Sequence, residues 1–142
     1  MILKQSELFE GLSMEFIRQV MDIAVRETRR EGELLFRNGD VPDRFYILIQ
    51  GQVQLTLEPD GAGVYSVDHP GELIGWSALV QRDSFSTAGK CSVKSDLLRL
   101  DTQRFFELLA NDADTAAHMY KNLSKALGHR LMQLYEAGSQ GL

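Results

Sequence analysis

The chain is poor in several features that would have narrowed its role at once. It has one cysteine, Cys91, in 142 residues. No internal disulfide can form, which fits a reducing cytoplasm, the compartment expected for this chain. No apolar run approaches the roughly 20 residues that a membrane-spanning helix needs, so no membrane partner is expected. Met1 to Glu7 contains no apolar stretch of the export-signal type. Basic excess is missing too: 15 Lys and Arg stand against 20 Asp and Glu, a net charge of −5. Sequence-independent nucleic-acid binding depends on clustered cations that displace phosphate counterions, so no nucleic-acid partner is expected. The cluster Arg26, Arg29, Arg30 reads as a solvated helix end. His69, His118 and His129 are scattered and form no pair at metal-ligand spacing. No nucleophile elbow, phosphate-binding P-loop or paired-carboxylate signature is present. No catalytic residue, metal or certain cofactor is therefore assigned, and the protein is not expected to be an enzyme.

What is present is an ordinary globular composition, 44% hydrophobic and 25% charged. Residues 1–142 read as a single domain. Ser13 resembles a helix N-cap, with Leu12 before it as a staple and Glu15 in the first turn. Phe16, Ile17, Val20, Met21, Ile23 and Ala24 recur at helical spacing, predicting a helix over about 13–26. Strand texture occupies about 33–101. Leu34 to Phe36 leads to the turn Asn38-Gly39-Asp40, Phe45 to Ile49 is aromatic and β-branched, and Val53, Leu55 and Leu57 alternate with polar neighbours. Pro59 to Gly63 turns the chain into Val64 to Val67. Phe85 to Cys91 and Asp96 to Leu100 are further strands. Helical texture returns over about 102–136, broken at Asn111 to Asp114, where Asp114 is placed to cap the last helix and Gly138 to stop it. The fold class is α+β: an antiparallel β-roll, or double-stranded jelly roll, flanked by one N-terminal and two C-terminal helices.

The most informative stretch runs Pro70-Gly71-Glu72-Leu73-Ile74-Gly75-Trp76-Ser77-Ala78-Leu79-Val80, followed by Phe85-Ser86-Thr87-Ala88. It resembles the phosphate-binding cassette of the cyclic nucleotide-binding domain family, as found in catabolite-activator-type regulators. Leu8 to Leu12, Gly32 to Asp40, Phe45 to Val53 and Leu97 to Asp101 with Phe105 resemble the family's other segments in the same order. The likeness spans Leu8 to Leu134. It implies a regulatory module in which a short helix after Gly75 aims backbone N–H groups at a phosphate. The family also places a glutamate after the second glycine, for the ribose hydroxyl, and an arginine for the phosphate. Here those positions hold Trp76 and Phe85. A second register puts the acidic and basic pair on Glu72 and Arg82, but it wastes Gly75 and needs an insertion before Leu97.

The candidate pocket is thus Ile74, Gly75, Trp76, Ser77, Ala78, Phe85, Ser86 and Thr87. Trp76 reads either as a pocket wall or as a ring filling the space of an absent nucleotide. Phe85 reads as core. Ser77, Ser86 and Thr87 are ligand donors or caps, Arg82 is a solvated loop residue, and Cys91 is a buried structural thiol. On the last helix, Ala116, Tyr120, Leu123, Leu127 and Leu134 follow three-four spacing, the period of a coiled-coil seam, with Arg130 interrupting it; the alternative is packing against the roll, towards which Met119, Ala126 and Leu131 widen the apolar face. A homodimer on this helix is expected. In the resembling regulators a DNA reader follows it, and none is expected here. The expected function is a non-catalytic, stand-alone sensor of a small molecule, either a cyclic nucleotide with altered contacts or another ligand. The rival expectation is a ligand-free interaction domain with a plugged pocket.

Overall fold

A computed structural model of the chain describes residues 3–140. The elements in order are α1 (Met14–Ile23), β1 (Val25–Arg29), β2 (Leu34–Phe36), β3 (Arg44–Gln50), β4 (Val53–Leu57), β5 (Ala62–Val67), β6 (Leu73–Ile74), β7 (Ala88–Cys91), β8 (Ser95–Asp101), α2 (Thr102–Leu109) and α3 (Ala113–Gln140). Short 3-10 turns cover Leu3–Gln5 and Trp76–Ala78. Two four-stranded sheets form, ordered β1-β8-β3-β6 and β2-β7-β4-β5, with antiparallel pairing throughout. This is the expected jelly roll between one N-terminal and two C-terminal helices.

The apolar run in β3 shows why two layers form. Phe45 and Ile47 face the helices, while Tyr46 and Leu48 face the other sheet, and all four are fully buried. A strand apolar at every position needs cover on both faces. The core accordingly divides. One part lies between the first sheet and the helices, centred on Phe105, whose ring meets Phe9, Phe16 and Phe45 edge-on. The other lies between the sheets, around Phe36, Tyr46, Phe85 and Leu97.

Several expected boundaries move. Ser13 does cap α1, its hydroxyl accepting the Phe16 N–H at 3.1 Å, but the helix ends at Ile23 rather than near Arg26. Val25–Arg29 is an edge strand of the roll, which therefore begins before residue 33, and Arg26 and Arg29 lie on it rather than on a helix end. Its pairing with β8 supplies polar partners that a helix could not: Thr28 donates to Asp96 at 2.7 Å and Arg99 to Glu27 at 3.2 Å. Local helical spacing is overridden by cross-strand pairing. The strand expected from Phe85 starts only at Ala88, because the Phe85 backbone is tied to the Gly39 turn instead. Asp112, not Asp114, caps α3, accepting the Thr115 N–H at 3.1 Å and its hydroxyl at 2.6 Å. The helix runs past Glu136 and through Gly138, which does not take the left-handed conformation of a stop.

Along α3, Met119, Asn122, Leu123, Ala126 and Arg130 are buried on one stripe. Leu123, expected in a seam between chains, is 3% exposed and packs into its own protomer's core. Asn122 fastens this stripe to the N-terminal segment, donating to the Leu8 and Glu10 carbonyls at 3.0 and 2.8 Å.

Candidate functional site

The cassette leaves β6 through Gly75, which has a φ of 92°. That left-handed conformation suits glycine, and space is tight as well, since a Cβ here would stand 3.2 Å from Phe85 Cε1. A single 3-10 turn, Trp76–Ala78, follows where a short helix is expected. Ile74, Gly75, Ser77 and Ala78 are all buried beneath it.

Phe85 closes the inner end of the cassette. It is 1% exposed and stacks on Phe36 with ring centroids 3.9 Å apart. Its N–H donates to the Asp40 carbonyl, and its own carbonyl accepts from the Gly39 N–H and the Asn38 side chain, each at 2.9 Å. The Arg44 guanidinium lies 5.7 Å from the ring centroid, a cation over a π-face. Every polar group of Phe85 is thus satisfied while its ring fills space between the sheets.

The outer end is open. A hollow of about 340 Å³ is walled on the roll side by Leu55, Val64, Tyr65, Trp76, Ser86 and Thr87. Its other wall is α3, through Leu127, Arg130, Leu131 and Leu134. Of the eight candidate pocket residues, the fold brings Trp76, Ser86 and Thr87 together here and leaves the other five in the interior. Leu127 and Leu134, expected in the seam, also line it. Tyr120 donates its hydroxyl to the Leu79 carbonyl at 3.4 Å, and Ala116 is half-buried against the core.

Arg130 is the electrostatic feature of this wall. The residue is 7% exposed. One terminal nitrogen, Nη2, donates to the Leu73 carbonyl and lies 3.4 Å from the Glu7 carboxylate. Nε and Nη1 are buried with no acceptor. Buried donors without partners cost about 1–3 kcal/mol each, so the site carries unspent hydrogen-bonding capacity. The Tyr65 ring covers the guanidinium, 4.8 Å from its carbon to the ring centroid. Tyr65 is in turn tethered by donating its hydroxyl to Glu72 at 3.0 Å. Burial, then the neighbouring Glu72 charge, pushes the phenol pKa up to about 12.

The alternative pair does not converge on one cavity. Glu72 accepts the Asp68 and His69 N–H groups at 3.0 and 2.9 Å, and it faces a different hollow with Glu7 and His129. Arg82 lies in an exposed loop, its Nε 3.4 Å from the Ser84 carbonyl. Asp68, His69 and Glu72 gather their side-chain donor atoms within 4.8 Å. There Glu72 is already committed to Tyr65 and the two backbone N–H groups. Cys91 is buried, and burial pushes its thiol pKa up, away from nucleophilic character.

Arg130 is the residue that sequence reasoning passed over. The signal was legible: position 130 continues the Met119, Leu123, Ala126 stripe at helical spacing. A charge on a buried stripe asks for a partner. Reading the helix as a seam between chains hid that question.

The match to known families is decided by the description "Cyclic nucleotide-binding domain", which fits residues 26–112. The chain belongs to the cyclic nucleotide-binding domain family. Among relatives in that family, the cAMP-dependent protein kinase type II regulatory subunit of Drosophila melanogaster is 26% identical over 130 residues, 91% of this chain and 34% of that protein. The cyclic AMP receptor protein of Thermus thermophilus is 26% identical over 133 residues, 92% of this chain and 60% of the relative. The chain thus spans only part of either protein. A cyclic nucleotide-binding protein structure from Geobacter metallireducens superposes with a TM-score of 0.82 at 21% identity, covering 91% of this chain and 95% of the other. This last likeness supports the fold of the cyclic nucleotide-binding domain.

Proposed function

We propose that this member of the family is a non-catalytic, cytoplasmic sensing module that detects a small molecule without the usual ribose and phosphate anchors. The observation that carries the reading is the shared cavity. Roll and α3 form opposite walls of one hollow, so an occupant contacts both and biases the position of the helix through its differential affinity for two arrangements. Phe85 fills the space at the inner end of the cassette, and Trp76 lines the open end. A cyclic nucleotide would meet an apolar wall where its ribose hydroxyl needs an acceptor, and a phenyl ring where its phosphate needs a cation. Losing two hydrogen bonds to charged groups, at about 1.5–3 kcal/mol each, weakens binding at least about hundredfold.

The test uses the sole tryptophan, which lies in the cavity wall. Titration with cyclic AMP or cyclic GMP is expected to leave Trp76 fluorescence unchanged up to about ten micromolar, where half-saturation corresponds to roughly −7 kcal/mol. Saturable quenching below one micromolar, confirmed by calorimetry, overturns the altered-anchor reading in favour of a cyclic-nucleotide sensor.

The module is also proposed to act as a homodimer through the exposed part of α3. Met132 and Tyr135 leave apolar surface uncovered there, which a two-fold helix pair would bury. Leu123 has no part in this seam.

A further inference from the structure

We infer that the hollow between the roll and α3 takes an amphipathic organic anion, an apolar body with a single carboxylate head, and that Arg130 is its anchor. The inference rests on the sensing reading above and names the ligand class of that site. Three observations carry it. The first is the lining: Leu55, Val64, Leu127, Leu131 and Leu134 offer no hydrogen bonds through their side chains, so the body of the ligand is hydrocarbon-like. The volume, about 340 Å³, falls at the small end of ligand cavities.

The second is the one cation that lines the hollow among the described residues. Arg130 is one of the residues of this wall, and its Nε and Nη1 are buried beside it without an acceptor. Its neighbour Glu7 is shared, because the same Oε1 also accepts the Leu73 N–H at 3.1 Å. A guanidinium with idle donors selects an anionic acceptor over a neutral or cationic one. Ser86 and Thr87 add hydroxyls on the roll side of the cavity, and no hydrogen bond engages either one's side chain among the described residues.

The third is the cover. The Tyr65 ring lies over the guanidinium and shares the cavity wall, held by its bond to Glu72. A head group reaches Arg130 when this ring turns outward and gives up that bond. Ligand entry then alters contacts on β5 and on α3 together, which is the coupling that a sensor requires.

The experiment compares three probes of equal chain length, decanoate, decanol and decylamine, each below its micellar concentration, by Trp76 fluorescence and calorimetry. Decanoate is expected to bind at least about tenfold more tightly than decanol, the effect of one charge-assisted hydrogen bond, with decylamine weakest. Arg130→Met is expected to reduce decanoate to the affinity of decanol. Glu7→Gln removes the competing carboxylate and is expected to strengthen decanoate alone. If Arg130→Met does not fold, the three probes on the unmodified protein and the Glu7→Gln response decide the matter. Equal binding of decanoate and decanol overturns the assignment of Arg130 and leaves the cavity reading intact, since Trp76 still reports an occupant. No response to any of the three overturns both.

Discussion

The two ends of the cassette handle polarity in opposite ways. At the inner end, Phe85 stacks on Phe36, and its backbone groups are all bonded to the Gly39 turn. At the outer end, Arg130 is nearly as buried, yet two of its nitrogens have no partner. One end is a closed core in which every group is satisfied. The other holds a desolvated charge beside an apolar cavity. Buried polar groups in native proteins are nearly all satisfied, so this exception calls for an explanation. The buried cation of the outer end comes from the last helix.

The comparison breaks most sharply at Phe85. Phe85→Arg puts an uncompensated charge between the sheets near Arg44, and this variant is expected not to fold, as judged by circular dichroism. Phe85→Ala is expected to fold with a loss of about 3–5 kcal/mol in urea denaturation, the usual range for a buried phenylalanine. Recovery of cyclic-nucleotide binding by a stable Phe85→Arg protein would reverse the account of the inner end.

A similar loss is expected from Leu123→Glu, which sets a carboxylate in the core between α3 and the roll. Tyr135→Glu, on the exposed part of the same helix, is expected to keep the melting temperature of the monomer and to shift the mass measured by light scattering from dimer to monomer. A dimer that survives Tyr135→Glu moves the interface elsewhere.

At the outer end the expected effect on stability is smaller. Arg130→Met is expected to cost about 1–3 kcal/mol, because the buried Leu73 carbonyl loses its donor. Glu7 stays 30% exposed and keeps the Leu73 N–H as donor. A loss comparable to that of Phe85→Ala would make Arg130 a structural residue and erase the contrast.

The smallest effect is on pH dependence. The Tyr65 phenol has its folded pKa raised from 10.0 to about 12, by burial first and Glu72 second. The fold favours the protonated phenol. Its stabilisation is therefore complete below pH 10 and is lost as pH rises towards 12. Tyrosine absorbance at high pH should contain one late-titrating component that moves down on Glu72→Gln. Absence of that shift would remove the tether that holds the ring over Arg130.

Much of the architecture was legible in the residues. Ser13, the alternation of β4, the apolar run of β3 and the glycine at position 75 each carry a local physical reason, so the jelly roll and its helices follow from pattern. The strand β1 was not legible. Val25 to Arg29 carries no apolar alternation, and its stability as a strand lies in Asp96 and Arg99, which are some seventy positions away in the chain. The site divides in the same way. Trp76, Ser86 and Thr87 were identifiable because they sit in the cassette, but the wall opposite them belongs to α3.

The sequence by itself determined the fold class, the family and the turn at Gly75, because these depend on residue type and near-neighbour spacing. Only the tertiary structure decided which candidates share a cavity, that Leu123 belongs to its own core, and that Arg130 is among the residues of the hollow while two of its nitrogens lack acceptors. Those facts depend on which surfaces of distant segments meet, and on whether a buried charge finds its acceptors there. Helical spacing places Arg130 on the inward stripe; only the packed chain shows that Leu73 and Glu7 engage one of its nitrogens and leave two without a partner.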